Sequence, residues 1–374
     1  MSIKTLSKKM LAIVAAGAMT MGLAMPTSVF AAGKDTPTNV AYISKTFNTV
    51  VGKDETFSFQ AEPVAGNTAK VTIPDISFSP SETGTTTKRA QVSFPKWTDA
   101  GKYEYTVTET KANPAITDTD HQKMIMSQAE YTMDVYVTNG DTGLQIANII
   151  VNKTKDDKGI AATGKVDISD TDKNGFNFTN TYAQEAGTGT DPTHPDPTYT
   201  DDGSLNVTKK INANGGTLDT KKAFNFTATF TFPKGTDANT LGGVKGADGN
   251  KISIGDDGTY KFTLTANGNM KFTGVPVGTQ ISVVESATPN YKGSAESVFN
   301  GQKQNPVEAS KYNTAFNVAN TLGQKQNKVD VTNTYDYVPT TGIIMNNLPY
   351  VLMIALCGAA LMAFVAFKRR SLQK

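Results

Sequence analysis

A chain of 374 residues with 36 Lys and Arg against 34 Asp and Glu is formally +2, but its two ends distort that figure. They hold seven bases (Lys4, Lys8, Lys9, Lys368, Arg369, Arg370 and Lys374) and no acid, leaving 29 bases against 34 acids between them, with Arg89 the only arginine. No basic patch remains, so nucleic acid is excluded as a partner; Cys357 lies in a C-terminal apolar run, and 2 His with no catalytic or metal-spaced cluster leave no place for turnover chemistry, a metal or a cofactor.

The first element, residues 1–31, has a lysine-bearing start, an apolar run from Met10 and the small residues of SVFAAG. This pattern predicts a secretory signal peptide cleaved between Ala31 and Ala32. Residues 32–182 follow as short runs rich in Thr, Val, Phe and Tyr, separated by turn clusters and without helical periodicity. They predict antiparallel strands in a β-sandwich. Residues 183–203, AQEAGTGTDPTHPDPTYTDDG, are dense in Pro, Thr, Gly and Asp, which predicts a semi-extended linker that permits hinging. Residues 204–337 are a second region with the composition of the first. Its last strand leads into VPTTG (338–342), and 348–367, LPYVLMIALCGAALMAFVAF, is an uncharged run long enough to span a bilayer. The bases that follow hold the tail on the cytoplasmic side.

The two regions repeat each other. AYISKTF (41–47), TFSF (56–59), GKYEYTVTE (101–109) and FNFTNTY (176–182) recur in order as LNVTKKI (205–211), AFNF (223–226), GTQISVVE (278–285) and VDVTNTY (329–335). Alternate strand residues share a face. Lys45 then sides with Ala41 and Ile43, Glu109 with Tyr105 and Val107, and Asn180 with Phe176 and Phe178. In the second region Lys209, rather than Lys210, sides with Leu205 and Val207, Glu285 with Ile281 and Val283, and Asn333 with Val329 and Val331. Each core thus receives one Lys, one Glu and one Asn. Singly these positions suit a snorkelling lysine, a loop-starting glutamate and a turn asparagine; the same trio in the same order twice does not.

Burial makes the lysine a neutral amine and the glutamate a neutral acid. Such an amine can attack the Asn carboxamide while the acid, hydrogen-bonded to the carboxamide oxygen, shuttles a proton to departing ammonia. A Lys–Asn amide would result, Lys45–Asn180 in one domain and Lys209–Asn333 in the other, with Glu109 and Glu285 as the catalytic acids. Asn320 in FNVANTL (316–322) has core parity too and is a rival acceptor.

These residues resemble Gram-positive shaft pilins with isopeptide-linkage domains of the streptococcal T-antigen type. VPTTG, the span and the basic tail resemble a sorting signal of the Leu-Pro-x-Thr-Gly kind, with Val338 for Leu before Pro339 and Thr340. The resemblance implies an all-β fold of two tandem Ig-like sandwiches and sortase cleavage between Thr341 and Gly342. It also implies an inter-subunit lysine shortly upstream of the first acceptor, which Lys173 matches, near Lys153, Lys155, Lys158 and Lys165. The implied partners are pilin-class and housekeeping sortases, identical subunits in a covalent polymer, peptidoglycan and ancillary pilins, on a wall-anchored surface fibre. A monomeric wall-anchored adhesin is the alternative. Asp170–Gly175 opens like a calcium loop, but its twelfth position would be Thr181, so it is expected to be a turn.

Overall fold

The computed structural model describes residues 39–64, 66–336 and 340–371, and within the last segment the side chains of 349–365. The signal sequence with Ala31 and Ala32, and the motif residues Val338 and Pro339, lie outside the described residues, as do the side chains of Thr340, Thr341 and Gly342.

The strands of the first domain are β1 (Tyr42–Thr49), β2 (Glu55–Pro63), β3 (Ile76–Phe78), β4 (Gly84–Gln91), β5 (Gly101–Asn113), β6 (Gln122–Ile125), β7 (Glu130–Gly140), β8 (Gly143–Lys155), β9 (Ala161–Val166) and β10 (Asn177–Gln184). A short helix, α1 (Tyr199–Asp202), precedes the second domain: β11 (Leu205–Asn212), β12 (Phe224–Thr231), β13 (Thr259–Leu264), β14 (Asn269–Phe272), β15 (Gln280–Glu285), β16 (Tyr291–Phe299), β17 (Gln302–Lys303), β18 (Val307–Glu308), β19 (Phe316–Thr321) and β20 (Lys328–Tyr335). A helix, α2 (Thr340–Ser371), closes the chain.

Each domain is a sandwich of two sheets. In the first, β4-β1-β10-β6 faces β3-β2-β5-β7-β8-β9; in the second, β14-β11-β20-β16-β17 faces β13-β12-β15-β19. Alternation drives this arrangement: β7 buries Tyr131, Met133, Val135 and Val137 and turns the intervening residues outward. Between the first pair of sheets, the rings of Phe47, Phe57 and Phe78 pack edge-on at 5.2–5.8 Å. The β16–β17 turn is Asn300-Gly301, both at positive φ, the chemistry a two-residue hairpin needs.

The pairing departs from the expected antiparallel pattern in one respect. First and last strands run parallel, β1 beside β10 and β11 beside β20. Alternation of apolar residues reports which face a strand buries and says nothing of its direction.

The segment 183–203 also differs from expectation. Residues 181–189 are buried, and the backbone of Gln184, Ala186, Gly187 and Gly189 is hydrogen-bonded into the second domain. Ala186 N–H donates to Val275 O (2.9 Å), Gly189 N–H to Gln324 O (2.7 Å), and Gln184 O accepts Val277 N–H (2.7 Å). The Glu185 carboxylate is a four-way clamp: Oε1 accepts Tyr199 O–H, Ser204 O–H (both 2.7 Å) and Gly274 N–H, and Oε2 meets His121 Nδ1 at 2.6 Å. Gly187 sits at φ +83°, where a Cβ would come within 2.2 Å of Gly203 O. Low apolar content predicts exposure only where backbone groups find no partner. Here they find several.

The apolar run 348–367 lies within α2, whose described side chains, 349–365, are all exposed. Among the described residues no helix is long and apolar enough to cross a membrane.

Candidate functional site

In parallel pairs β1–β10 and β11–β20, Lys45 lies opposite Phe178 and Lys209 opposite Val331. Two residues on, along the same face, stand Asn180 and Asn333. The register between lysine and asparagine is therefore the same in both domains. The glutamates come from the facing sheets, Glu109 on β5 opposite Phe59 and Glu285 on β15 opposite Phe226. Beside Glu109 the β2–β5 register shifts, with Ser58 opposite Lys111, so Thr110 is an extra residue of the bulged strand.

All six side chains converge as two buried trios. Lys45 Nζ donates to Glu109 Oε1 at 2.6 Å, and Asn180 Nδ2 donates to the same oxygen at 2.9 Å. Lys209 Nζ donates to Glu285 Oε2 at 2.9 Å and to Asn333 Oδ1, and Asn333 Nδ2 donates to Glu285 Oε1. Lys45, Lys209 and Asn180 are 0 % exposed and Asn333 2 %, so water cannot compete for these contacts. Aromatic rings close over both amines: Phe57 lies 4.2 Å from Lys45 Nζ, and Phe224 3.9 Å from Lys209 Nζ.

This environment favours neutral forms. Burial pulls each lysine from 10.5 down to about 8, against the opposing pull of its glutamate. Burial pushes Glu109 and Glu285 above the usual carboxylate range, against the charge of their lysines. Glu109 Oε2 is buried without a partner, a position that costs a neutral acid less than a carboxylate. Burial brings the neutral forms within reach, and a neutral amine, a neutral acid and a carboxamide in contact would be the reactants of an amide exchange.

One detail departs from the expected arrangement. Each glutamate touches the carboxamide nitrogen, and the oxygen has other partners. Asn180 Oδ1 accepts the backbone N–H of Ser127 at 2.7 Å; since an N–H can only donate, the atom facing it is the oxygen. Sequence reasoning could not find Ser127, because a backbone donor leaves no mark on residue identity. The phenylalanines over the amines were visible as TFSF and AFNF, though only as core.

Asn320 is on β19, half-buried, with Oδ1 accepting the N–H of Thr321 at 2.8 Å. The contacts of Lys209 go to Glu285 and Asn333. Lys173 is an exposed turn residue between Asp172, which pairs with Arg89 at 2.9 Å, and the buried Asn174. The segment from Asp170 to Gly175 is bend and turn leading into β10, and no group of three or more metal-ligating side chains occurs among the described residues.

Residues 41–183 match the family profile of the Spy0128-like isopeptide containing domain, and residues 203–335 match that of a domain of unknown function (DUF7601). No curated protein matches the chain. Among solved structures it is similar to the major pilin protein (T3.2) of Streptococcus pyogenes, at 18 % identity and TM-score 0.32, covering 80 % of this chain and 99 % of that one. A second major pilin structure from Streptococcus pyogenes is 20 % identical at TM-score 0.32, with the same coverage. A bacterial adhesin from Mobiluncus mulieris containing disulfide, isopeptide and ester cross-links is 11 % identical at TM-score 0.26, covering 80 % of this chain and 99 % of that one.

Proposed function

We propose that this chain, whose first domain matches an isopeptide-containing family, is a structural subunit of a Gram-positive pilus shaft, each domain locked by a self-formed Lys–Asn isopeptide bond. The observation that carries the reading is the buried Lys/Glu/Asn trio, built twice with its lysine and asparagine at one register on the first and last strands and its glutamate on the facing sheet. A single buried ion pair is often structural; a carboxamide placed in both copies against the glutamate's oxygen has no structural need to be an Asn.

The reaction runs once per domain. In the first, the Lys45 amine attacks Cγ of Asn180 and a tetrahedral intermediate forms. Glu109 Oε1 touches both the attacking and the leaving nitrogen, so it can carry a proton from Nζ to Nδ2. The Cγ–Nδ2 bond breaks, ammonia departs, and the Nζ–Cγ amide remains. In the second, Lys209, Glu285 and Asn333 do the same with the glutamate's two oxygens sharing the task. The amide formed at Nζ, unlike the amine it replaces, cannot take up a proton, so burial no longer works against it.

VPTTG, the apolar run 348–367 and the basic tail form the sorting signal. A pilin-class sortase takes Thr341 as an acyl-enzyme with release of Gly342, and a lysine of the next subunit resolves it; a housekeeping sortase finally attaches the polymer to peptidoglycan. Lys173, exposed in a turn just before β10, is the acceptor lysine of this reading. Intact-mass spectrometry of folded ectodomain should find two ammonias missing, with tryptic mapping at Lys45–Asn180 and Lys209–Asn333. Coexpression with the sortase should give a ladder on denaturing gels. The full sequence mass refutes the isopeptide bonds, and a single band favours the monomeric adhesin.

A further inference from the structure

In the first domain the carboxamide oxygen has a backbone donor with no counterpart among the described residues of the second. Asn180 Oδ1 accepts Ser127 N–H at 2.7 Å, whereas the partner of Asn333 Oδ1 is Lys209 Nζ, the attacking nitrogen itself. Ser127 follows β6 in a stretch without ladder bonds, and its position is fixed from one side by Asp157, in the β8–β9 turn. Asp157 Oδ1 accepts Ser127 O–H at 2.5 Å and Thr179 N–H at 2.8 Å, and Asp157 O accepts Gln128 N–H at 3.0 Å. Ser127 Oγ in turn accepts Ala129 N–H at 3.1 Å. One carboxylate oxygen thus holds both the residue that supplies the donor and the residue next to Asn180.

We infer that the backbone N–H of Ser127 is the oxyanion donor of the first-domain reaction, and that Asp157 is the positioning residue that aims it. The inference rests on the isopeptide reading above and adds a part to it. When Nζ attacks Cγ, the pair of electrons of the C=O bond moves onto Oδ1. A fixed N–H already in contact with that atom stabilises the developing charge without reorganising, and the site is closed to water. On collapse the electrons return, C–Nδ2 breaks, and ammonia leaves with the proton Glu109 delivers. In the second domain Lys209 must turn its N–H from Oδ1 as its lone pair approaches Cγ, and no backbone donor replaces it among the described contacts. The two bonds should therefore close at different rates, the first sooner.

The test uses the full chain made by cell-free synthesis, quenched at intervals and mapped by trypsin, so that the second bond serves as an internal clock. Replacing Ser127 by its α-hydroxy analogue turns the preceding amide into an ester and removes this N–H alone. Loss of one oxyanion donor slows such steps by roughly 10²–10³, so the first bond should lag by that factor while the second keeps its wild-type rate. Asp157→Ala should lag too, and Asp157→Asn, whose Oδ1 still accepts both bonds, should restore the rate. Closure of the ester chain at the wild-type rate overturns the inference, as does Asp157→Asn lagging as far as Asp157→Ala. Failure of the unmodified chain to lose ammonia is separate: it overturns the isopeptide reading itself.

Discussion

Lys45→Met removes the first cross-link with little other disturbance. Methionine is unbranched, comparable in length to the lysine stem, and suits the apolar slot under Phe57; Asn180 still donates to Glu109. A volume-conserving replacement of this kind costs less than about 1.5 kcal/mol by itself. The lost bond is the larger effect. Lys45 and Asn180 are 135 residues apart, and closing a loop of that length restricts the unfolded chain by about 5 kcal/mol on the loop-entropy model. At about 2–4 °C per kcal/mol for a domain of this size, the first-domain transition should fall by about 10–20 °C. Calorimetry would resolve that transition from the second, and intact mass would show one ammonia lost in place of two. A fall of no more than about 4 °C, equivalent to roughly 1 kcal/mol, would refute the argument that the bond closes this loop.

Glu285→Ala should abolish the Lys209–Asn333 bond and leave Lys45–Asn180 intact, and Glu109→Ala the reverse, each read by tryptic mapping; a bond formed at the normal rate in either variant would make that carboxyl a bystander. Lys173→Arg, coexpressed with the sortase, should lose the ladder while keeping both internal bonds, since a guanidinium does not give up its proton to attack. His121 is held above its usual 6.5 chiefly by its hydrogen bond to Glu185. A raised folded value means the clamp contributes fully below 6.5 and weakens as pH climbs through the higher folded value; the stability difference between wild type and His121→Gln should shrink in mildly alkaline buffer, and a difference that grows there would reverse the sign. Pulled from its ends, one molecule should lengthen only between Asn180 and Lys209, 29 residues apart and so by less than about 100 Å; a longer step would mean that a domain had opened.

Much of the site was legible because parity is a strong constraint in a two-sided sheet. It pointed Lys209 inward and Lys210 outward, and Lys209 is 0 % exposed while Lys210 is exposed. It chose the faces of Glu285, Asn180 and Asn333 in the same way. What parity does not carry is direction, so the parallel pairing of β1 with β10 was not readable. Nor does composition report backbone partners. Residues 183–189 contribute almost no apolar side chain, yet the carbonyls of Val275, Gly323 and Gln324 and the carboxylate of Glu185 fix them in place. Ser127 and Asp157 escaped for the same reason: one acts through its N–H, the other is one of many turn aspartates until Thr179 and Ser127 are seen on its oxygen.

The parallel pairing gives the proposed cross-links a mechanical meaning that the chemistry alone does not. A chain entering at the start of β1 and leaving at the end of β10 loads those two neighbouring strands in shear when it is pulled. Lys45 is the fourth residue of β1, and Asn180 is followed in β10 by four residues, Thr181–Gln184. A bond between them passes the load from one strand to the other at mid-length, and everything from Thr46 to Thr179 is bypassed. The second domain repeats this, with Lys209 fifth in β11 and Asn333 third from the end of β20. What remains in series is the stretch from Thr181 to Thr208, the only part between the outer cross-link residues that no amide would shield. There Glu185 joins His121 of the first domain to Tyr199 of α1 and to Ser204 and Gly274 of the second domain. A free hinge there would let successive domains swing and peel; a packed joint keeps the pull along the strand axes, the direction in which the paired strands and their amide resist together.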